Sequence, residues 1–545
     1  MSQDNVKFAR RASGTEDLDN GLFYLWHLAA IGLVTWNEDG SVELSEYWKT
    51  PDPSEANAET PAEQSKSLPK PAQIRVAIID NGCAADHPNL PNERITQVEF
   101  SSHRSGIIYT DDTVPANDLG LRNISRPIRK DIMASIREKL KDNDLEGEEP
   151  NIDEFLENPL EYVGVQNPSH RFGAHGTATA GLVAATSDSE MHEKYPDHSK
   201  RNPWAIRYSG VDPYAEIIAI NTVYNYECWP FTAGLLFALR SKADVILIPR
   251  AAPRMSPPKH KNTKQFPNSK DDPRHTRLDE DKARYIDQLV FEAVLGYVCK
   301  HVPTVVAAGN TGIGGLAYPA SLSTLYLESD GFPLISVGAL TAYGKRSAFS
   351  AGVPEAESGE KPFIYAPSND DEVISKDHQR FDELSWRGRN TNVGAILAAN
   401  GSENTYCPYG ILAIDIPGPW GYDVQYGEAR DFEDPIAFAE PCSELEKQTK
   451  AAAGLSQNRY NSLYTLFGGT SASSAIVAGV ISQMLRAAKE AKRQLKVEEV
   501  TEILKSTAGK GLNMVAIEDG KYGAEVPDID KAIRADDAIE KVRTA

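Results

Sequence analysis

From residue 74 onward the chain alternates short, almost wholly apolar runs with longer stretches of helical period. The runs are 74–79 (IRVAII), 216–220 (EIIAI), 243–248 (ADVILI) and 303–308 (PTVVAA), and helical patterns start near His175 and cover about 232–241 and 280–300. Runs with so little polar alternation suit strands buried on both faces. Their alternation with helices predicts a three-layer α/β domain: a mainly parallel central sheet with helices on both faces. In such a sheet the functional site lies beyond the carboxyl ends of the strands.

The rest of the chain divides around that pattern. Residues 51–72 are rich in Pro, Glu, Ser and Ala and lack large apolar side chains, so they read as a linker between a small element in 1–50 and a main domain over 73–545. In the small element Leu22, Trp26, Ala29, Ala30 and Leu33 recur at helical spacing, and 41–47 suits a short strand. The expectation is a helix packed on the main domain, with a docking or inhibitory segment as the alternative. Large surface insertions are expected near 253–279 and 351–460, polar and broken by Pro or Gly, and near 101–170, which lengthens the Asp80–His175 interval and is acidic and partly helical (IRKDIMASIREKLKDND).

Composition narrows the partners. The 545 residues are 41% apolar, enough for a large core, and the formal charge is −21. Nucleic-acid affinity comes largely from Lys and Arg releasing counterions, so this charge excludes nucleic acid and leaves protein or peptide. The apolar stretch 21–34 is shorter than the ~20 residues that cross a bilayer and contains His27, so no membrane span is expected. Glu16, Asp17 and Asp19 separate Arg10 and Arg11 from it, unlike an export signal. The five cysteines are widely spaced with no C-x-x-C pair, which fits thiols in a reducing compartment, and the expected location is cytoplasmic.

Four segments carry candidate chemistry. The run 74–79 ends in Asp80 followed by an Asn81-Gly82 turn, placing a carboxylate at a strand end, where orienting a histidine is one use that stabilises it. His175 stands before small residues (HGTATAGLVAA) that let a helix approach the sheet. Ser471 follows Gly468, Gly469 and Thr470 at the start of a helix patterned by Val477, Val480, Ile481, Met484 and Leu485. It reads either as a helix N-cap or as a nucleophile beside free N–H groups, and the two glycines favour the nucleophile. Asn310 ends PTVVAAGN, where a side-chain amide can donate to a developing oxyanion or simply form a turn. The order Asp, His, Ser is that of subtilisin and differs from other triad folds.

With IIDNGCAADHPNL, HGTATAGLVAA, GVDPYAEIIAI, VVAAGN, ISVGAL and GGTSASSAIVAG in place, the chain resembles the subtilisin family of serine proteases over much of 74–350 and 460–535. VEEVTEILKSTA and VPDIDKAI resemble that family's closing helices. The resemblance implies a serine endopeptidase with Asp80, His175 and Ser471 as triad and Asn310 in the oxyanion hole. It also implies Pro249, Arg250, Ala251, Ala308 and Gly309 along the substrate. Ala472 and Ala475 stand where relatives carry Met and Pro, and Pro249-Arg250-Ala251 stands where they often have Ser-Leu-Gly. Arg250 is therefore expected to bias the cleft toward acidic or small residues. No cofactor is required. The family often binds structural calcium, and acidic segments such as EARDFEDP invite it, but no spaced loop identifies a metal site. The insertions leave room for a regulatory protein partner. The competing reading is a latent or inactive protein that keeps the fold to bind peptides; a sedolisin-type enzyme, with Glu in place of His, is disfavoured by His175.

Overall fold

The buried valines and isoleucines of those runs build the sheet in the computed structural model, which describes residues 26–36, 42–48, 71–85, 87, 89–90, 92–102, 121–157, 163–166, 173–186, 208–222, 227–257, 273–312, 314–325, 331–341, 344–352, 360–369, 411–415, 464–509 and 531–545. Near the N-terminus, α1 (Trp26–Ala30) leads to an antiparallel pair, β1 (Val34–Trp36) and β2 (Val42–Leu44). Next come β3 (Arg75–Asp80), β4 (Ile95–Ser102), α2 (Arg126–Lys141), α3 (Ile152–Glu157), β5 (Val163–Gln166), α4 (Ala174–Ala184), β6 (Glu216–Asn221), α5 (Trp229–Arg240) and β7 (Val245–Ile248). The chain continues through α6 (Pro273–Cys299), β8 (Thr304–Ala307), β9 (Ile335–Leu340), β10 (Ile364–Pro367), β11 (Ile411–Ile414), β12 (Tyr464–Phe467), α7 (Gly469–Glu490), α8 (Val497–Thr507) and α9 (Ala535–Thr544).

Eight strands form the main sheet in the order β10-β9-β8-β7-β3-β6-β4-β5, with β5 antiparallel to β4 and the other neighbours parallel. Both faces are covered. Val76, Ile78, Val245, Leu247 and Val305 point into one core with α4 and α7, while Ala77, Ile79, Ile246, Ile248 and Val306 point into the other with α2, α5 and α6. Each of the valines, isoleucines and leucines contributes roughly 1.5–3 kcal/mol on burial, which explains why these strands carry almost no polar residue.

Several segments differ from the sequence reading. Residues 273–279, read as part of a polar insertion, are the opening turns of α6, since Pro273 is well suited to a helix start. Within 351–460, β10 is an edge strand of the main sheet, and its buried Ile364, Tyr365 and Ala366 have the apolar character of a strand. Within 101–170, α2 is the expected helix and β5 extends the sheet. Residues 531–534 are not helical: the Tyr365 N–H donates to Lys531 O and the Ile533 N–H to Tyr365 O, so this segment runs along β10 before α9 starts. Residues 526–530 lie outside the described residues, as do the Leu22 part of the N-terminal helical pattern and EARDFEDP.

The N-terminal segment shares the core of α7 and α9. Trp26, Leu28, Ala30, Ile31 and Leu33 are buried there, the Ala535 N–H donates to Ile31 O at 2.9 Å, and Trp48 Nε1 donates to Val211 O at 2.8 Å. α7 is held from behind by a buried ion pair in which Arg486 Nη2 contacts both Asp212 oxygens at 2.8 and 2.7 Å. Ser482 also donates to Asp212, and Arg486 Nη1 donates to Ala72 O. That network satisfies charges which would otherwise be costly in the core.

His27 gives the fold a pH dependence. It is fully buried, neither ring nitrogen has a partner among the described residues, and burial lowers its pKa from 6.5 to about 3. Between these values the unfolded chain binds the extra proton, so this stability is intact above pH 6.5 and is lost as pH falls toward 3. The slope is roughly 1.4 kcal/mol per pH unit, or about 3 kcal/mol lost by pH 4.5. In urea titrations His27→Leu should flatten that acid limb; an unchanged limb would show that the imidazole is not kept neutral inside.

Candidate active site

Asp80 is the last residue of β3 and His175 lies in the first turn of α4, and the two can meet only because α4 abuts the turn after β3. Gly176 permits this approach: a Cβ there would lie 1.8 Å from Gly82 O. The Gly176 N–H donates to Asn81 Oδ1 at 2.8 Å, and the Ala84 N–H donates to Thr177 Oγ1 at 2.8 Å. His175 Nδ1 then sits 2.6 Å from Asp80 Oδ2. A carboxylate accepts, so this contact selects the tautomer with hydrogen on Nδ1 and leaves the Nε2 lone pair available. Thr179 Oγ1 donates to His175 O at 2.8 Å and lies 3.4 Å from Asp80 Oδ2. Phe467 packs edge-on to the imidazole, with ring centres 5.2 Å apart. Asp80 is 1% exposed, whereas the His175 side chain keeps 15% of its surface open.

α7 begins at Gly469, so Ser471 is its third residue and the N-cap position belongs to Gly468. The Ser471 hydroxyl donates to Pro249 O at 2.7 Å, at the carboxyl end of β7, and makes no hydrogen bond to His175 in this structure. The turn before it is clamped by residues the sequence did not single out. Ser368 Oγ donates to Gly469 O at 2.8 Å, and the Gly469 N–H donates to Asn369 Oδ1 at 3.3 Å. Gly468 lies so close to Asn369 that a Cβ would come within 1.9 Å of Oδ1. Both clamp residues follow β10, inside the span read as an insertion, and the apolar run FIYAP was the signal of a strand end there.

Asn310 follows β8 and is exposed. Its Oδ1 accepts from the Thr470 N–H and from Thr470 Oγ1, both at 2.9 Å, and Thr470 Oγ1 in turn accepts from the Gly309 N–H at 3.0 Å. With Oδ1 occupied, the two Nδ2 hydrogens are the donors that remain. Thr470, also missed by the sequence reading, thus fixes which end of the amide serves as donor. Asn310→Ala should lower kcat by about 10²–10³-fold with little change in KM, because the donor acts on charge present only in the transition state. A KM rise at constant kcat in steady-state peptide hydrolysis would contradict that role.

Of the expected substrate-binding residues, Pro249, Ala251, Ala308 and Gly309 lie at the carboxyl ends of β7 and β8. Tyr318 O accepts the Ala252 N–H at 2.8 Å and Ala308 O accepts the Ala317 N–H at 2.7 Å, so 317–318 ties the two strand ends together. Gly309 has φ +103° and a Cβ there would lie 2.5 Å from that of Ala317. Arg250 departs from its expected role. Its guanidinium lies 4.9 Å from the Phe231 ring centre and Nη2 donates to Thr222 Oγ1 at 2.7 Å, leaving the residue 9% exposed. Side chains alternate across a strand, and the one after Pro249 turns toward α5, so its charge is held inside the protein wall.

A carboxylate–imidazole pair and a helix-start serine at the strand ends of a three-layer α/β sheet describe a serine-type endopeptidase of subtilisin-like fold. The chain belongs to the subtilase family, whose model matches residues 72–524. No protein of curated function matches it. Similar solved structures include the epidermin leader peptide processing serine protease EpiP from Staphylococcus aureus, 15% identical over 88% of this chain and 78% of that one, with a TM-score of 0.40. The nisin leader peptidase NisP from Lactococcus lactis is 13% identical over 86% and 88%, with a TM-score of 0.41. Fervidolysin from Fervidobacterium pennivorans, a keratinolytic enzyme, is 17% identical over 96% and 47%, with a TM-score of 0.42. These likenesses are too remote to carry a substrate over to this chain.

Proposed function

We propose that this protein hydrolyses internal peptide bonds through an Asp80–His175–Ser471 triad and an acyl-enzyme intermediate. The observation that carries the reading is the 2.6 Å contact between His175 Nδ1 and Asp80 Oδ2, which frees Nε2 to act as base. In the reaction the Ser471 hydroxyl leaves Pro249 O and gives its proton to Nε2 as Oγ bonds to the substrate carbonyl carbon. The carbonyl electron pair moves onto oxygen, where Asn310 Nδ2 and the Ser471 N–H stabilise it. As the intermediate collapses, the C–N bond breaks and His175 delivers the proton to the departing amine. Water, deprotonated by His175, then releases the acid and restores Ser471.

The reading extends to place and control. The thiols of Cys83, Cys228 and Cys299 support a reducing, cytoplasmic setting, and the surface around α2 offers a regulatory protein partner a place to bind. The direct test is casein digestion by purified protein. Wild type should release fragments from internal cleavage while Ser471→Ala and His175→Ala release none; equal digestion by Ser471→Ala would remove the triad from the reaction.

A further inference from the structure

Between α2 and α6 lies a cavity of about 490 Å³, lined by Lys139, Arg254, Met255, Tyr285, Gln288 and Glu292 with Leu289 and Leu322. Its volume falls in the range that holds small organic ligands, roughly 300–1,000 Å³. The floor is a built polar network. Glu292 is 6% exposed, its Oε2 pairs with Lys139 Nζ at 2.6 Å, and its Oε1 accepts from Gln288 Nε2 at 3.0 Å and from the Tyr318 hydroxyl at 3.3 Å. Burial, followed by the Glu292 charge, raises the Tyr318 phenol well above its ordinary range, so it remains a donor. The Tyr285 hydroxyl donates to Asn143 Oδ1 at 2.7 Å.

With Glu292 neutralised in place, the charge left facing the cavity is that of Arg254. It is exposed, its guanidinium lies 6.0 Å from the Tyr318 ring centre, and among the described residues it has no carboxylate partner. With the Gln288 amide and the Tyr285 and Tyr318 hydroxyls bonded within the protein, the cation at the mouth and Met255, Leu289 and Leu322 beside it match a ligand with a carboxylate next to an apolar side chain. We propose that this cavity binds the C-terminal residue of a peptide, with Arg254 holding the carboxylate, at a site separate from the cleft. Tyr318 links the two places: its hydroxyl meets the cavity floor through Glu292, while its carbonyl holds Ala252 in the cleft wall.

The test titrates the full-length protein with N-acetyl-leucine, with N-acetyl-leucinamide as the uncharged control, by calorimetry. Saturable binding of the acid is expected in wild type, with the amide at least about tenfold weaker, since a charge-assisted hydrogen bond is lost. Arg254→Gln should weaken the acid by a similar factor at an unchanged melting temperature, while Arg254→Lys keeps part of the affinity. Lack of saturable binding in wild type, equal binding of acid and amide, or undiminished binding by Arg254→Gln would each overturn the proposal; the last would place the probe elsewhere, including the cleft.

Discussion

Ser471→Ala and His175→Ala are each expected to lower kcat for a peptide substrate by roughly 10⁶-fold, the scale on which subtilisin itself loses activity without either residue. The two act as one unit, so the double variant should be little worse than either single one. Without Oγ there is no nucleophile to acylate; without the imidazole the hydroxyl keeps its proton and remains a weak nucleophile. The loss should be chemical rather than structural. Ser471 is buried at 8% exposure, and its side-chain hydrogen bond is to Pro249 O, so its removal costs about 1–3 kcal/mol of stability, far short of unfolding the domain. Steady-state kinetics with a fluorogenic peptide, beside thermal melts of the same preparations, separates these effects. Additive losses in the double variant would show that the two residues act independently.

Asp80→Asn is expected to reduce kcat by about 10⁴-fold while leaving the shape of the site intact. In the wild-type protein Asp80 Oδ2 accepts from Nδ1, so Nε2 is free to take the serine proton. An amide at that position can turn its Nδ2 toward the ring and donate to Nδ1. The hydrogen then moves to Nε2, where it blocks the base. The fold should tolerate the change, because Asp80 is 1% exposed and an amide is easier to bury than a charge. A kcat within tenfold of wild type would mean that the 2.6 Å contact does not set the tautomer.

The central architecture was legible because burial on both sheet faces leaves a plain mark. Strands β3, β6, β7 and β8 read as apolar runs, and those of β3, β7 and β8 deliver their candidate residues at or within three residues of the observed strand end. The close approach of α4 was visible as HGTATAGLVAA, in which no residue after the histidine is bulky until Leu182. What was hidden depends on contacts between distant segments. Nothing in FIYAPSN announces that Ser368 and Asn369 clamp Gly469 across the fold, and Thr470 looks like a spacer until its bonds to Asn310 are seen. Arg250 was placed in the cleft by its position after β7, but the direction of a side chain at a strand end depends on what packs beneath, here Phe231 and Thr222. Residues 531–533, which the family resemblance placed in a closing helix, pair along β10 instead.

The most direct test of the central claim, that His175 and Asp80 activate Ser471, is intact-mass analysis after incubation with a fluorophosphonate. A single adduct on wild type, absent in Ser471→Ala and strongly slowed in His175→Ala, is the predicted result. Folded wild-type protein that stays unlabelled, or an adduct that persists in Ser471→Ala, would contradict it.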